Sequence, residues 1–307
     1  MSIIVTDRLT KSYGPRRGVA DLSLAVGDGE VFGFLGPNGA GKTTAIRILL
    51  GFLRPTAGSA KVLGLDCQRQ SHLIKRDVGY LSGDLRLYSW MNGRSALKII
   101  GAVRGMDLGR SGAELAERFG LDLGVKVGRM SRGMRQKLGL ILTFAHRPRL
   151  LVLDEPSSAL DPIMQQHLRD YLLERAADGA TVFFSSHTLS EVEDLCGRVA
   201  ILREGRLVAN ETLAELRRHA SRLVVIRWAA GLAEGDEPPV PTFLELQDRR
   251  PGSWRCLIDG PVRPLMIWAA AQPIDDLAIG EPDLETLFRA YYAKSPDEPR
   301  RAAEARG

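Results

Sequence analysis

Gly36-Pro37-Asn38-Gly39-Ala40-Gly41-Lys42-Thr43-Thr44 decides how this chain is read. Two glycines at fixed spacing ahead of a lysine and a hydroxyl residue match the template of a loop that wraps phosphate groups. Its context agrees with that template. Glu30-Val31-Phe32-Gly33-Phe34-Leu35 reads as a buried strand before the loop, and Ala45-Ile46-Arg47-Ile48-Leu49-Leu50 begins a helix after it. The glycines let backbone N–H groups curl around phosphate oxygens, and the helix N-terminus adds partial positive charge. The stretch therefore predicts nucleoside triphosphate binding. Lys42 is expected at the β- and γ-phosphates, Thr43 on Mg2+ and Thr44 at the α-phosphate.

Downstream, Leu150-Leu151-Val152-Leu153 is an apolar run ending in Asp154-Glu155. It reads as a buried parallel strand that delivers two carboxylates at its C-terminal end, where α/β sheets carry their chemistry. Asp154 is expected to accept a hydrogen bond from the Mg2+ hydration shell, and Glu155 to polarise the water that attacks the γ-phosphate. Taken alone, an apolar strand capped by two acids is equally a strand end beside a helix cap. Paired with the phosphate loop, it becomes a catalytic candidate.

Three further motifs carry a family resemblance. Met130-Ser131-Arg132-Gly133-Met134, with Arg135-Gln136-Lys137 and a helical run through Ala145, resembles the signature motif of ABC ATPases. Ser157-Ser158-Ala159-Leu160-Asp161 resembles that family's D-loop, and Val182-Phe183-Phe184-Ser185-Ser186-His187 its strand ending in the switch histidine. Tyr13, in Leu9-Thr10-Lys11-Ser12-Tyr13-Gly14, stands where family members stack a ring on adenine. Each has a plain structural alternative: His187 as a loop histidine, Tyr13 as a packing ring, Ser131 and Gly133 as a helix cap and a turn. The motifs' shared order favours the family. The resemblance spans about residues 3–215 and implies an α/β phosphate-loop NTPase core of ABC ATPase type that binds ATP and Mg2+. It also implies that Ser131 and the Gly133 N–H meet a γ-phosphate held by another subunit, so the chain is expected to form a two-fold homodimer with Asp161 at the seam.

The sequence departs from the family in two places. Arg132 and Met134 replace the usual glycine and glutamine of the signature, leaving Arg132 either beside the γ-phosphate or turned to solvent. In Val78-Gly79-Tyr80-Leu81-Ser82-Gly83-Asp84, which resembles the strand into the Q-loop, Gly83 stands where a glutamine belongs. Asp84 or Ser82 is a candidate substitute. Alternatively, Gly83 serves a turn with positive φ and Asp84 is a solvated acid. The stretch from Gly83 to Trp90, with Met91-Asn92-Gly93-Arg94, resembles type 2 exporters that pump drugs such as daunorubicin, and Glu281 to Tyr292 resembles their terminal helix.

The 307 residues suffice for one large and one small domain, with 44% apolar and 26% charged residues, an ordinary globular balance. The expected organisation is a nucleotide-binding domain over residues 1–218 with a helical arm at about 84–146, an accessory α+β module over 219–292, and a disordered tail over 293–307. Strands are expected at 22–26, 199–202, 207–208, 222–228 and 254–258, and helices at 95–103, 112–119, 264–272 and 284–292, with an acidic, proline-rich loop at 235–241. Three widely spaced cysteines, Cys67, Cys196 and Cys256, read as reduced packing residues. A net charge of +5 comes largely from short clusters and reads as a solvated surface, so no nucleic-acid partner is expected. No apolar run reaches the roughly 18 residues of a membrane span, and the N-terminus lacks a signal-peptide layout. The expectation is an ATP-hydrolysing exporter motor, peripheral on the cytoplasmic face of the cell membrane, driving efflux of a drug, antibiotic or lipid-like substrate through a separate permease. The alternative is a soluble ABC ATPase acting on the ribosome or nucleic acid. An importer subunit fits less well, because its C-terminal extension would resemble a regulatory barrel rather than this short module.

Overall fold

The computed structural model describes residues 1–14, 16–229 and 237–293. It divides into two compact units, Met1–Asn210 and Glu211–Gly307. The capped helix Leu213–His219, which the expected boundary at 218 grouped with the first domain, therefore falls in the second unit.

A six-stranded sheet orders the first unit as Arg206–Thr212, Arg198–Arg203, Val31–Leu35, Thr181–Ser186, Leu150–Asp154 and Val78–Leu81. The last five pair in parallel, and their register sets Leu35 opposite Ser186 and Asp154 opposite Ser185. Leu150–Asp154 and Thr181–Ser186 are buried at every position, as strands covered on both faces must be. Consequently the phosphate loop, the two acids and His187 all leave the sheet at neighbouring strand ends. An antiparallel sheet of Arg16–Gly27, Ser2–Tyr13, Ala57–Val62 and Leu65–Asp66 packs beside it. Phe32, Phe34, Phe183, Ile46 and Val152 belong to the core that includes both sheets and the helix Lys42–Leu49. Gly93–Arg104 and Gly109–Arg118 supply the arm helices, the first closed by a capping box between Asn92 and Ser95.

The second unit has an antiparallel sheet ordered Leu244–Arg250, Ser253–Ile258, Arg222–Trp228 and Ile274–Pro282. Trp254, Val224, Ile226 and Leu265 of the helix Arg263–Ala269 form its core, with the Trp228 and Trp254 rings edge to face at 4.8 Å. Glu281 and Pro282 end a strand, so the terminal helix starts later than the resemblance implied, at Leu284. Of the expected tail at 293–307, Ala293 is the last residue of the helix Leu284–Ala293, and 294–307, like the first part of the acidic loop, lie outside the described residues.

All three cysteines are buried free thiols, and burial pushes Cys67 up to about 12 and Cys256 to about 11. No helix among the described residues is long and apolar enough to cross a membrane.

Candidate active site

The phosphate loop is held open by glycine geometry that no other residue supplies. Gly39 and Gly41 have φ of 83° and 103°, and a Cβ on Gly41 would lie 2.1 Å from the Gly18 carbonyl oxygen. The loop is braced from outside by the Gly205 N–H, which donates to the Ala40 carbonyl at 2.9 Å. Glu204 and Gly205, at φ 49° and 79°, form the hairpin turn that brings this donor in. In the helix that follows, the first i to i+4 bond is Ala45 N–H to Gly41 O at 2.9 Å. The N–H groups of Lys42, Thr43 and Thr44 precede that ladder and remain for an anion.

Lys42 is almost fully buried, donates to the Gly36 carbonyl and lies 3.2 Å from Glu155 Oε1. The other Glu155 oxygen, Oε2, is 2.6 Å from His187 Nδ1. Glu155 thus bridges the loop cation and the histidine. Its backbone is left-handed, φ 53°, so the chain turns sharply as it leaves the strand and aims the carboxylate back across the loop. Asp154, 2% exposed, accepts from Thr43 Oγ1 at 2.8 Å and from Ser185 Oγ at 3.0 Å. The Thr43 hydroxyl and the Asp154 carboxylate together are the hard oxygen donors that Mg2+ prefers.

These groups line one cleft of about 760 Å3, together with Tyr13, Gly18, Arg47, Gly83 and Arg132. Tyr13 is half exposed at its rim, and Gly18 is small because a Cβ there would sit 2.8 Å from Tyr13 Cε2 and 3.1 Å from Thr44 Cγ2. An open, ring-bordered cleft ending in free N–H groups, a buried lysine and paired acids has the shape and charge of a nucleotide site.

Comparison with known proteins agrees. The family model for ABC transporters matches residues 19–158. The bacitracin transport ATP-binding protein BcrA of Bacillus licheniformis is 39% identical over 210 residues, 67% of this chain and 69% of that protein. The chain belongs to the ABC transporter ATP-binding proteins. It is an ATP-binding ABC ATPase. The daunorubicin resistance ATP-binding protein DrrA3 of Streptomyces coeruleorubidus is 33% identical over 302 residues, covering 93% of this chain and 94% of its own. Among solved structures, an ATP-binding subunit of an ABC transporter superposes with TM-score 0.67 at 28% identity, over 71% of this chain and 92% of its own.

Within this ABC ATPase, Ser131, Gly133 and Asp161 do not line the cleft of their own chain. Ser131 caps the helix Arg132–Phe144 by accepting from the Met134 N–H at 3.2 Å, and Asp161 caps Pro162–Ala177 by accepting from the Met164 N–H at 2.9 Å. Gly133 is packed so closely that a Cβ would lie 2.9 Å from the Ala159 carbonyl oxygen. Arg132 is exposed and faces the chain's own cleft.

Gly83 corrects one sequence expectation. Its φ lies outside the left-handed region, so no positive-φ turn requires glycine here. A Cβ would make ordinary contacts, 3.4 Å to Asp154 O and 3.6 Å to Asp154 Oδ2, which places this position beside the carboxylate that Thr43 touches. Asp84 is largely exposed, and its Oδ2 accepts from Arg86 Nη2 at 2.8 Å.

Ser185, Gln136 and Glu191 make contacts at the site that the motifs do not announce. Ser185 holds Asp154, and Gln136 Nε2 ties the signature helix to the turn after Glu155 by donating to Pro156 O at 2.8 Å. Two serines in a strand otherwise made of Thr-Val-Phe-Phe were the visible signal, since fully buried hydroxyls need partners.

Proposed function

We propose that this chain is the motor of an exporter, coupling ATP hydrolysis to efflux of an antibiotic-like or lipid-like amphiphile through a separate integral-membrane permease. The match to the daunorubicin resistance protein carries this reading, because it runs through the C-terminal unit as well as the ATPase core. The bacitracin transport relative supports the same class of cargo.

In this reading, ATP lies in the cleft with its adenine against Tyr13 and its phosphates on the N–H groups of Lys42, Thr43 and Thr44 and on the Lys42 ammonium. Thr43 and Asp154 are the residues that would hold Mg2+, which when bound neutralises charge on the β- and γ-phosphate oxygens. Glu155 orients the attacking water, and His187 steadies Glu155 and the γ-phosphate. Lys42 exchanges its contacts with Gly36 and Glu155 for phosphate oxygens, which frees the Glu155 carboxylate toward water. Ser131 and Gly133, which do not line their own cleft, would serve the γ-phosphate of a second copy, giving a two-fold dimer with two equivalent sites. The permease brings the pair to the cytoplasmic face of the membrane.

The test is purification of the tagged full chain from detergent-solubilised membranes of its own host. An integral-membrane protein co-eluting in fixed ratio, whose presence raises ATPase activity and whose deletion sensitises cells to amphiphilic antibiotics, is the expected result. Recovery of the chain only from the soluble fraction, bound to ribosomes or nucleic acid, would contradict the proposal.

A further inference from the structure

Glu191 sits in the first turn of the short helix Leu189–Glu193, just beyond His187. Its carboxylate adds a side-chain link between two segments that are distant in sequence and leave neighbouring strands. Ser157 Oγ donates to Oε1 at 2.6 Å, and Ser186 Oγ donates to Oε2 at 2.6 Å. Ser157 follows Glu155 by one intervening residue, and Ser186 immediately precedes His187. Both serines are buried, 6% and 0% exposed, and Ser186 Oγ also accepts the Thr188 N–H at 2.9 Å.

Short hydrogen bonds from hydroxyls to a carboxylate are among the strongest a protein makes. Here they tie together the backbones on either side of the 2.6 Å contact between Glu155 Oε2 and His187 Nδ1. The tie has something to restrain, because the turn it holds carries left-handed backbone at both Glu155, φ 53°, and Ala159, φ 65°. A helix-capping acid would need only one oxygen facing its own N-terminus. Glu191 instead commits both oxygens to serines outside its helix.

We infer that Glu191 is a positioning residue for ATP hydrolysis, clamping the turn after Glu155 to the His187 segment so that the two side chains stay in register. Glu191 does not line the cleft that holds Lys42, Asp154 and Glu155. The inference rests on the reading of Glu155 and His187 as the pair that orients water and γ-phosphate.

The experiment measures steady-state ATPase and fluorescent-nucleotide affinity of the full chain for Glu191→Ala, Glu191→Gln and the double variant Ser157→Ala/Ser186→Ala, with Glu155→Gln alongside. Glu191→Ala should lower kcat by about ten- to a hundredfold, with KM and nucleotide Kd within about twofold of the parent. Glutamine keeps the length, accepts from Ser186 and donates to Ser157, so Glu191→Gln should recover to within about threefold of the parent kcat. The double serine variant should reproduce the alanine loss, and adding Glu191→Ala to it should cost nothing further, as expected of groups acting as one unit. Parent kcat in Glu191→Ala or in the double serine variant, with Glu155→Gln slow, would overturn the clamp. So would a Glu191→Gln variant as slow as alanine, or nucleotide affinity falling in step with kcat. A Glu155→Gln variant at the parent rate would instead overturn the underlying assignment of the pair.

Discussion

Replacing Gly83 by glutamine puts back a side chain that the resemblance leads one to expect, at a position where the structure has room for it. The Cβ would meet Asp154 O at 3.4 Å and Asp154 Cγ and Oδ2 at 3.6 Å, all ordinary van der Waals distances. The backbone there is not left-handed, so no conformational strain opposes the change. A glycine replaced at a compatible position gains about 0.4–1 kcal/mol by restricting the unfolded chain. For a domain of this size that corresponds to a rise in Tm of about 1–4 °C. The amide can also donate to Asp154, so no buried polar group is left without a partner. Thermal unfolding of the parent and Gly83→Gln, with and without Mg-ATP, measures both effects. Tm should rise slightly without nucleotide, and ATPase activity should persist. A fall in Tm of more than about 4 °C would show instead that the backbone at this position requires glycine.

Lys42→Ala removes the buried cation beside Gly36 and Glu155, and should weaken nucleotide affinity by about tenfold or more in a fluorescent-nucleotide titration; unchanged affinity would contradict the phosphate-loop assignment. His187→Ala should leave nucleotide Kd within about twofold while kcat falls by about ten- to a hundredfold, read from binding and turnover measured on the same preparation. His146 is buried, with Nε2 on the Val78 carbonyl at 3.2 Å, and burial pushes its pKa down to about 4. Because the unfolded chain binds this proton near the ordinary histidine value of about 6.5 and the folded chain does not, the histidine's contribution is fully present above that value and is lost as pH falls toward 4. Thermal unfolding between pH 7 and pH 4 should therefore show a shallower loss of Tm in His146→Gln than in the parent, and parallel curves would contradict this.

What could be read from sequence was what short-range chemistry dictates. Gly36 to Thr44 was legible because its glycines permit the left-handed φ of Gly39 and Gly41 and Lys42 reaches the carbonyl of Gly36 within the same stretch. Leu150–Asp154 was legible because a strand buried on both faces is apolar throughout. Leu244–Arg250 and Ile274–Pro282 were missed for the opposite reason: they are the outer strands of their sheet and carry exposed Glu245, Arg250, Asp275 and Asp276 in place of a clean pattern. The left-handed backbone of Glu155 gave no sequence signal, since it occurs at a residue type that does not demand it. Likewise Glu191 is one acid among many until the sheet sets Ser186 near Ser157. Gly83 misled in the other direction, because glycine permits positive φ without requiring it.

The central claim is that Glu155 orients water in a site completed by a second copy of the chain. Its most direct test is light scattering after size-exclusion chromatography of Glu155→Gln with Mg-ATP, coupled to phosphate release from the same sample. The account predicts a nucleotide-bound dimer that hydrolyses ATP at least about a hundredfold more slowly than the parent. A monomer turning over ATP at the parent rate would contradict it.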